Sequence, residues 1–424
     1  MLSRPLRVWL SLFVASSLRA QTADVCAGPQ IQSVRATQRY DRVDGPSFDF
    51  KYRYIPSRAD SLRAPTIIVL PGGPGQAGIP NPEGAFPLGA IPADYNRIYT
   101  DPRGAGCNAA VAQTDSTALR TDFLARDVLA IIRARGLTRY VIYGASYGTV
   151  LATTTAHAIE QDGLPKPIAV VLEGIVGHAF PSFASYMQQF TDEWDRVRAG
   201  LPGDWSTRVA ATPPPMGYSA EAWGSFAFAT IILGDIPDAP IGGPYIHYLL
   251  GVLDRNAAAK GQGAPLSTGD STAMRYIDSR MAVFGSGVLF RAIGCTELWG
   301  DWRTGRVIRD GRLEAYGDNV CPPGGKTRAF DARAHPITSP IYYFQGPHDP
   351  ASGLAGAKYH FDVQTRAART FVLVDGASHA PLTGGLKSCA AIIWTEIVAA
   401  RPLDTSNLAT CKRRATIERK QAGQ

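Results

Sequence analysis

The sequence of 424 residues has no apolar run long enough to cross a membrane as a helix, which takes about 20 residues. Charged residues make up only 19% of the chain and hydrophobic residues 45%, so the composition is not that of a disordered protein. Internal repeats and low-complexity tracts are also missing. These absences favour a globular protein with a sizeable core, either one large domain with an insertion or two domains.

The sequence also lacks a strong excess of charge of one sign. The formal net charge is +7, and three of the arginines lie within residues 1–20. The basic run Lys412-Arg413-Arg414 is more typical of a solvated tail than of a nucleic-acid-binding patch. We therefore expect no nucleic-acid partner.

Cysteine pairs with C-x-x-C spacing and accompanying histidine clusters are absent, so we expect no metal site. The six cysteines instead predict three disulfides in an exported chain. Six cysteines allow 15 pairings, and the sequence does not decide among them. Proximity along the chain favours Cys295–Cys321 and Cys389–Cys411, which leaves Cys26–Cys107.

Residues 1–20 are typical of a secretory signal peptide. Arg4 and Arg7 precede a short apolar segment, and Ala20 is a suitable cleavage position. The apolar segment is too short for a retained membrane anchor. We therefore expect an exported protein, secreted or periplasmic, with no stable membrane anchor.

Strand patterns and helix patterns alternate up to residue 176 and resume at about residue 335. This alternation predicts a mostly parallel sheet that is covered on both faces. One predicted helix spans 118–135 and ends at Gly136. We predict that 21–176 and 335–424 form one α/β core, and that 177–334 is an inserted helical cap that includes an amphipathic helix at 182–199.

The motif YGASYG at residues 143–148 lies between a strand pattern and a helix pattern of small apolar residues. Strand, G-x-S-x-G and helix in this order are typical of a nucleophile elbow. A serine at such a turn projects its hydroxyl above the sheet, and the helix N-terminus directs N–H groups at the reaction centre. The sequence therefore predicts Ser146 as a nucleophile.

A nucleophilic serine needs a base that takes its proton and an acid that orients the base. Asp349 and His379 follow the strands that resume after the insertion, in the order expected for an α/β hydrolase. Glu173, at the end of the strand before the insertion, is the runner-up for the acid. We expect structural roles for the other histidines, which are His157, His178, His247, His335, His348 and His360.

An oxyanion needs two N–H donors near the elbow. We expect one from Tyr147, which follows the serine, and one from the loop PGGPG at 71–75, where Gly72 and Gly73 allow the backbone to approach a substrate. An ordinary turn explains this loop less well. A phosphate-binding loop is disfavoured because no Lys-Ser/Thr pair follows. We expect no organic cofactor.

Four motifs, in this order, resemble those of the prolyl-iminopeptidase and tripeptidyl-aminopeptidase family of serine peptidases: PGGPG at 71–75, DPRG at 101–104, GASYGT at 144–149 and GPHDP at 346–350. The resemblance covers about residues 45–176 and 337–411. Pro71 stands where prolyl iminopeptidases usually have His, and Pro102 where Gln is usual. Thr149 in place of a second Gly, with the late cysteine pair, is more similar to the secreted tripeptidyl-aminopeptidase branch.

The resemblance implies a catalytic triad of Ser146, Asp349 and His379, with the N–H groups of Gly73 and Tyr147 as oxyanion donors. It also implies two supporting roles. Asp101 and Arg103 would be a structural pair that braces the Gly-rich loop. An acidic cap residue would bind the α-amino group of the substrate; Glu297 is the first candidate, and an ordinary surface glutamate is the alternative.

We therefore expect an exported serine hydrolase of the α/β-hydrolase fold that releases N-terminal residues or short peptides through an acyl-enzyme. The first alternative is an esterase or amidase of the same fold that acts on small molecules, because fold and triad do not set the substrate. The second is a non-catalytic binding module. The sequence contains no signal for an oligomeric state.

Overall fold

A computed structural model describes residues 25–79, 91–200, 219–232, 286–303, 305–309 and 312–424, with isolated positions between 204 and 254. The predicted signal peptide at 1–20 and His247 lie outside these residues. The described strands are β1 (Ile31–Thr37), β2 (Ser47–Ile55), β3 (Thr66–Leu70), β4 (Asn96–Thr100), β5 (Tyr140–Ala145), β6 (Ala169–Glu173), β7 (Gly305–Arg309), β8 (Arg312–Tyr316), β9 (Ile341–Gln345), β10 (Arg369–Val374) and β11 (Ala415–Lys420).

The described α-helices are α1 (Val111–Thr114), α2 (Thr121–Ala134), α3 (Tyr147–Gln161), α4 (Phe183–Ala199), α5 (Ala220–Ile232), α6 (Gly287–Ile293), α7 (Leu354–Val363) and α8 (Ala390–Val398). The helix predicted at 118–135 begins at Thr121, because Ser116–Ala118 form a separate 3₁₀ turn. It ends at Ala134, with Arg135 as its C-cap, and Gly136 follows with φ at +58°. The helix predicted at 182–199 is α4, whose N-cap Ser182 exchanges hydrogen bonds with Ser185.

Nine strands form one sheet in the order β1-β2-β4-β3-β5-β6-β9-β10-β11. The six central strands are parallel, and β1, β2 and β11 add antiparallel pairings at the two edges. The central strands are almost completely buried, as continuous apolar runs covered on both faces should be. Because they are parallel, the loops after β3, β5, β6, β9 and β10 meet at one edge of the sheet.

The insertion, defined here as the chain between β6 and β9, contains α4, α5, α6 and the antiparallel hairpin β7–β8. The predicted helical cap segment thus also contains a two-stranded sheet, which was not predicted. Aromatic rings fill the insertion's own core: Phe183 packs on Trp302 with ring centroids 4.2 Å apart, and Phe190 stacks on Phe228 at 4.0 Å. The insertion therefore has a packed interior.

Three disulfides connect Cys26 with Cys107, Cys295 with Cys321 and Cys389 with Cys411. These are the pairs that proximity along the chain favours. Disulfides are stable in oxidising compartments, so their presence indicates such a compartment. No helix in the described ranges is both long and apolar enough to span a bilayer.

Candidate active site

Ser146 occupies a strained turn between β5 and α3. Its backbone has φ 57° and ψ −127°, a conformation that residues other than glycine rarely adopt. The turn closes only because its neighbours are small: a Cβ on Gly144 would lie 2.1 Å from the carbonyl oxygen of Gly148, and a Cβ on Gly148 would lie 2.2 Å from that of Leu70. The Ser146 N–H donates to the Glu173 carbonyl at 2.8 Å, which fixes the elbow to the end of β6.

His379 and Asp349 are in direct contact. The Nδ1 atom of His379 lies 2.9 Å from both carboxylate oxygens of Asp349. Both side chains are buried, with His379 2% and Asp349 5% exposed. Because a carboxylate only accepts hydrogen bonds, Nδ1 carries the proton, and Nε2 is the unprotonated nitrogen. This is the arrangement that a general base requires.

The Asp349 carboxylate is held by four further hydrogen bonds. Gln345 Nε2 donates to Oδ2 at 2.9 Å, and the Ser352 hydroxyl donates to the same oxygen. The N–H groups of Ala351 and Ser352 donate to Oδ1 at 2.8 and 3.2 Å. Burial would raise the pKa of Asp349, but His379 and the hydrogen bonds from Ser352 and Gln345 outweigh it and lower this pKa below its usual value. The sequence analysis did not identify Gln345 and Ser352 as partners of Asp349. A local signal existed for the backbone contacts, because an Asp side chain commonly accepts from N–H groups two residues further on.

The His379 imidazole packs directly against the backbone of Gly174, which has no side chain in the way. Gly174 has φ +61°, and a Cβ there would lie 2.8 Å from Nδ1 and Cε1 of His379. The preceding residue, Glu173, is the one whose carbonyl accepts the Ser146 N–H. The structure therefore brings Ser146, His379 and Asp349 to the same edge of the sheet.

The Glu173 side chain does not serve as the acid. Its carboxylate accepts hydrogen bonds from the N–H groups of Leu382 and Thr383 at 2.8 and 2.9 Å, and from the hydroxyl of Tyr143. Burial raises its pKa, partly offset by these hydrogen bonds. Of the two acids considered from the sequence, Asp349 is the one in contact with the imidazole.

The Gly-rich loop passes directly beside the nucleophile. A Cβ on Gly72 would lie 2.9 Å from the Ser146 Cβ, so no side chain fits there. Gly73 follows with φ +110°. On the other side of the serine, Tyr147 is the first residue of α3, and the first N–H groups of a helix have no partner within the helix. Tyr147 therefore follows Ser146 directly, and Gly73 follows the glycine that packs against the Ser146 Cβ.

The predicted roles of Asp101 and Arg103 need a correction, because the two residues face different parts of the molecule. The Asp101 carboxylate contacts the segment after the Gly-rich loop: it accepts from the N–H of Ile79 at 2.8 Å, and it also accepts from the N–H of Cys107 at 2.7 Å. Arg103 instead forms a two-point ion pair with Asp127 of α2, at 2.6 and 2.8 Å, and donates to the carbonyl of Thr37 at the end of β1. Its partner Asp127 was not anticipated from the sequence.

Glu297 is buried, with 4% of its surface exposed, and joins the insertion to the core. Its Oε1 accepts the N–H of Thr121 at 3.2 Å, and its Oε2 accepts the Thr121 hydroxyl. The Arg328 guanidinium lies 3.7 Å from Oε1. A substrate ammonium group would have to replace these contacts.

The insertion also contacts the site at two other points. The Ser286 N–H donates to the carbonyl of Gly75 in the Gly-rich loop at 3.0 Å. The Ser378 hydroxyl, next to His379, donates to the carbonyl of Ile231 in α5 at 3.0 Å. A cavity of about 520 Å³ remains between α4 and the loop that carries Asp349. Described parts of the insertion therefore contact the Gly-rich loop and the loop that carries His379, and a cavity lies beside the acid.

The other described histidines have partners other than the Asp349 carboxylate. The ring of His360 is within 2.9 Å of the Thr153 hydroxyl and 3.0 Å of the Tyr343 hydroxyl, and burial lowers its pKa to about 3. His348 lies 3.8 Å from Glu193. The remaining three contact backbone carbonyl groups: His157, His178 and His335.

Comparison with known families agrees with this geometry. A sequence family described as the α/β-hydrolase fold matches residues 65–218, which include the Gly-rich loop and the elbow. The protein has an α/β-hydrolase fold. Fold alone does not establish an activity or a substrate.

Solved structures similar to this one include an esterase, RhEst1, from Rhodococcus sp. ECU1013, with 16% sequence identity, coverage of 88% of this chain and 99% of that one, and a TM-score of 0.45. A proline iminopeptidase from Mycobacterium smegmatis has 14% identity, coverage of 89% and 99%, and a TM-score of 0.44. No curated protein is significantly similar in sequence. At these identities neither neighbour's activity is attributed to this chain.

Proposed function

We propose that this protein is an exported serine hydrolase that cleaves peptides from the N-terminus through an acyl-enzyme. The observation that carries the proposal is the contact of His379 Nδ1 with both oxygens of Asp349, at 2.9 Å, beside the strained turn at Ser146. Acyl transfer by a serine requires a base that is oriented by an acid. Here a buried imidazole has a carboxylate on one nitrogen, and the serine elbow lies at the same sheet edge.

In the first half of the reaction, Nε2 of His379 takes the proton of the Ser146 hydroxyl as its oxygen attacks the substrate carbonyl. The imidazolium that forms is stabilised by the Asp349 carboxylate. Negative charge develops on the carbonyl oxygen, and the N–H groups of Tyr147 and Gly73 are the proposed donors to it. His379 then protonates the leaving amine as the C–N bond breaks, which leaves an acyl group on Ser146.

In the second half, His379 takes a proton from water, and the hydroxide formed attacks the acyl carbon. The C–O bond to Ser146 breaks, the serine recovers its proton from His379, and the carboxylic acid leaves. This cycle balances without a cofactor.

Two observations support a preference for peptide ends. The first is the set of four motifs shared with the prolyl-iminopeptidase and tripeptidyl-aminopeptidase family. The second is the cover over the site: the insertion contacts the Gly-rich loop through Ser286, the base loop through Ile231 and the start of α2 through Glu297. A covered site accepts a short chain end more readily than an internal segment of a folded protein.

Peptidyl and aminoacyl arylamides, their N-acetylated forms and short-chain esters test the substrate class, with Ser146→Ala as the control. We expect turnover of arylamides with a free amino group and slower turnover of the acetylated forms. Equal turnover of both, or turnover of esters alone, would assign an esterase or amidase. A wild-type protein that no fluorophosphonate probe labels at Ser146 would be a binding module. Mass spectrometry of peptide products then gives the number of residues released, and tripeptides would support the tripeptidyl-aminopeptidase branch.

Export is the second part of the proposal. The three disulfides support an oxidising compartment, and the Arg-rich, short apolar segment at 1–20 supports a cleaved signal. N-terminal sequencing of the protein recovered from periplasm and culture medium tests it. A start near residue 21 is expected, and a cytoplasmic chain that still begins at Met1 would contradict export.

A further inference from the structure

Tyr147 presents two groups to different parts of the site. Its backbone N–H, at the start of α3, is a proposed oxyanion donor. Its side chain is buried, and its hydroxyl lies 2.7 Å from the hydroxyl oxygen of Thr121, the first residue of α2. Anchoring the ring therefore also restrains the residue that immediately follows the nucleophile.

The hydrogen bonds of this contact have one consistent direction. Thr121 has a single hydroxyl proton, and the Glu297 carboxylate can only accept, so the Thr121 hydroxyl donates to Glu297 Oε2. The Tyr147 hydroxyl must then be the donor to Thr121 Oγ1. Donation runs from Tyr147 through Thr121 to Glu297, where it ends on a carboxylate of the insertion.

The segment that carries Glu297 is held by a disulfide and by a backbone hydrogen bond. Cys295, two residues earlier, is bonded to Cys321, and the Glu297 carbonyl accepts the N–H of Phe330 at 2.9 Å. The carboxylate therefore reaches the core from a fixed segment. A strained turn such as that at Ser146 persists only where surrounding contacts over-determine it, and this connection is one such contact.

We propose that Glu297 is a positioning residue: through Thr121 it fixes Tyr147, and so keeps the Tyr147 N–H directed at the oxyanion. This inference rests on the proposed function. It replaces the binding of the substrate amino group as the role of Glu297, because both carboxylate oxygens contact Thr121. It also makes the oxyanion site depend on the seating of the insertion on α2.

Three variants remove the connection one link at a time: Glu297→Gln, Thr121→Val and Tyr147→Phe. We expect each to lower kcat about tenfold, since small displacements of a catalytic group cost up to about a hundredfold. KM should change little, and the factor should be the same for substrates with free and acetylated amino groups. The double variant Glu297→Gln/Tyr147→Phe should lose no more than the worse single variant.

The rate of Ser146 labelling by a fluorophosphonate is the second readout, because it is independent of the substrate class. If the wild-type serine is not labelled, the proposed function fails. If it is labelled, and Tyr147→Phe and Glu297→Gln react at the wild-type rate, only the inference fails. Tyr147→Phe keeps the ring and removes one oxygen, so it tests the idea even where Glu297→Gln does not fold.

The matched control is Glu314→Gln, the same chemical change at a partly exposed carboxylate of the insertion, 3.9 Å from Arg309. It should leave kcat and labelling unchanged. A Glu297→Gln variant that raises KM only for substrates with a free amino group, alongside a wild-type-like Tyr147→Phe, would overturn the inference and identify Glu297 as the ammonium-binding residue.

Discussion

Glu173 accepts two hydrogen bonds from Thr383, one from its backbone N–H at 2.9 Å and one from its hydroxyl at 3.1 Å. A third comes from the N–H of Leu382 at 2.8 Å, three residues after His379. The carbonyl of the same glutamate holds the Ser146 N–H. One residue at the end of β6 thus connects the elbow with the loop that follows the base.

Replacing Glu173 by Gln should reduce both stability and activity. The amide oxygen can still accept from Leu382 and Thr383, but the amide nitrogen then faces the Tyr143 hydroxyl, and a buried hydroxyl without an acceptor costs about 1–3 kcal/mol. We expect that loss in urea unfolding, with a lower kcat because Tyr143 lies in β5, the strand that ends at the Ser146 elbow. Glu160→Gln is the matched control: one oxygen of Glu160 accepts the N–H and hydroxyl of Thr338 away from the site, and an amide oxygen can do the same, so stability and kcat should both change little. Equal kcat losses in both variants would contradict the role.

Replacing Asp349 by Asn should abolish most of the activity and leave the fold in place. The amide can donate to Nδ1 of His379, which stabilises the tautomer with the proton on Nε2 and removes the base. A loss of about 10⁴-fold in kcat is expected. Steady-state kinetics and Ser146 labelling measure it. Asp362→Asn, at an ion pair with Lys420 on the surface, should be without effect. An Asp349→Asn enzyme with near-normal kcat would exclude this acid.

Asp101 should make stability depend on pH. Burial raises its pKa from 3.8 to about 6, although the N–H groups of Ile79, Cys107 and Gly78 lower it in part. The folded protein therefore binds this proton more tightly than the unfolded chain does. Folding stability should fall as the pH rises from about 4 to about 6, by about 3 kcal/mol for two pKa units, and stay lower above that.

The comparison is with Asp101→Asn, which cannot ionise. The free energy of unfolding of the wild type, measured with urea and intact disulfides, should decrease relative to the variant across that pH interval. A difference between the two proteins that is constant from pH 4 to pH 7 would show that Asp101 does not titrate there.

The Arg103–Asp127 ion pair is fully buried, with neither side chain exposed. Removing one partner leaves a buried charge unpaired, so Asp127→Asn should cost about 3–5 kcal/mol of unfolding free energy. Arg35–Asp49 offers an exposed pair for comparison, and Asp49→Asn should cost less than about 1 kcal/mol. Similar losses at the two pairs would contradict the buried-pair argument.

Local sequence signals were enough for the six central strands, the elbow and the order of Ser146, Asp349 and His379. Each depends on a short pattern: a continuous apolar run, a G-x-S-x-G turn, or a polar residue just after a strand. The β7–β8 hairpin also had a local signal, because Asp310-Gly311 separates its two strands in the sequence, and Asp-Gly favours tight hairpin turns. The patterns in the rest of the insertion favour helices, so this two-residue signal does not by itself predict the hairpin.

Contacts between distant residues had no such signal. Thr121 and Glu297 are 176 positions apart, and Glu173 and Leu382 are 209 apart. Arg103 is only 24 positions from Asp127, but its partner depends on how α2 packs beside β1. The side chain of a charged residue is directed by tertiary packing, so the roles of Arg103 and Glu297 could not be decided from the sequence.

All six cysteines are paired, and each cystine stays within one part of the molecule. Cys295–Cys321 joins two segments of the insertion. Cys26–Cys107 and Cys389–Cys411 each join two segments of the α/β core. The insertion is thus tethered to the sheet covalently only by its two chain ends. Separating the insertion from the sheet would break hydrogen bonds and apolar contacts but no disulfide. The disulfides therefore stabilise each part, and only non-covalent contacts and the two chain connections hold the parts together.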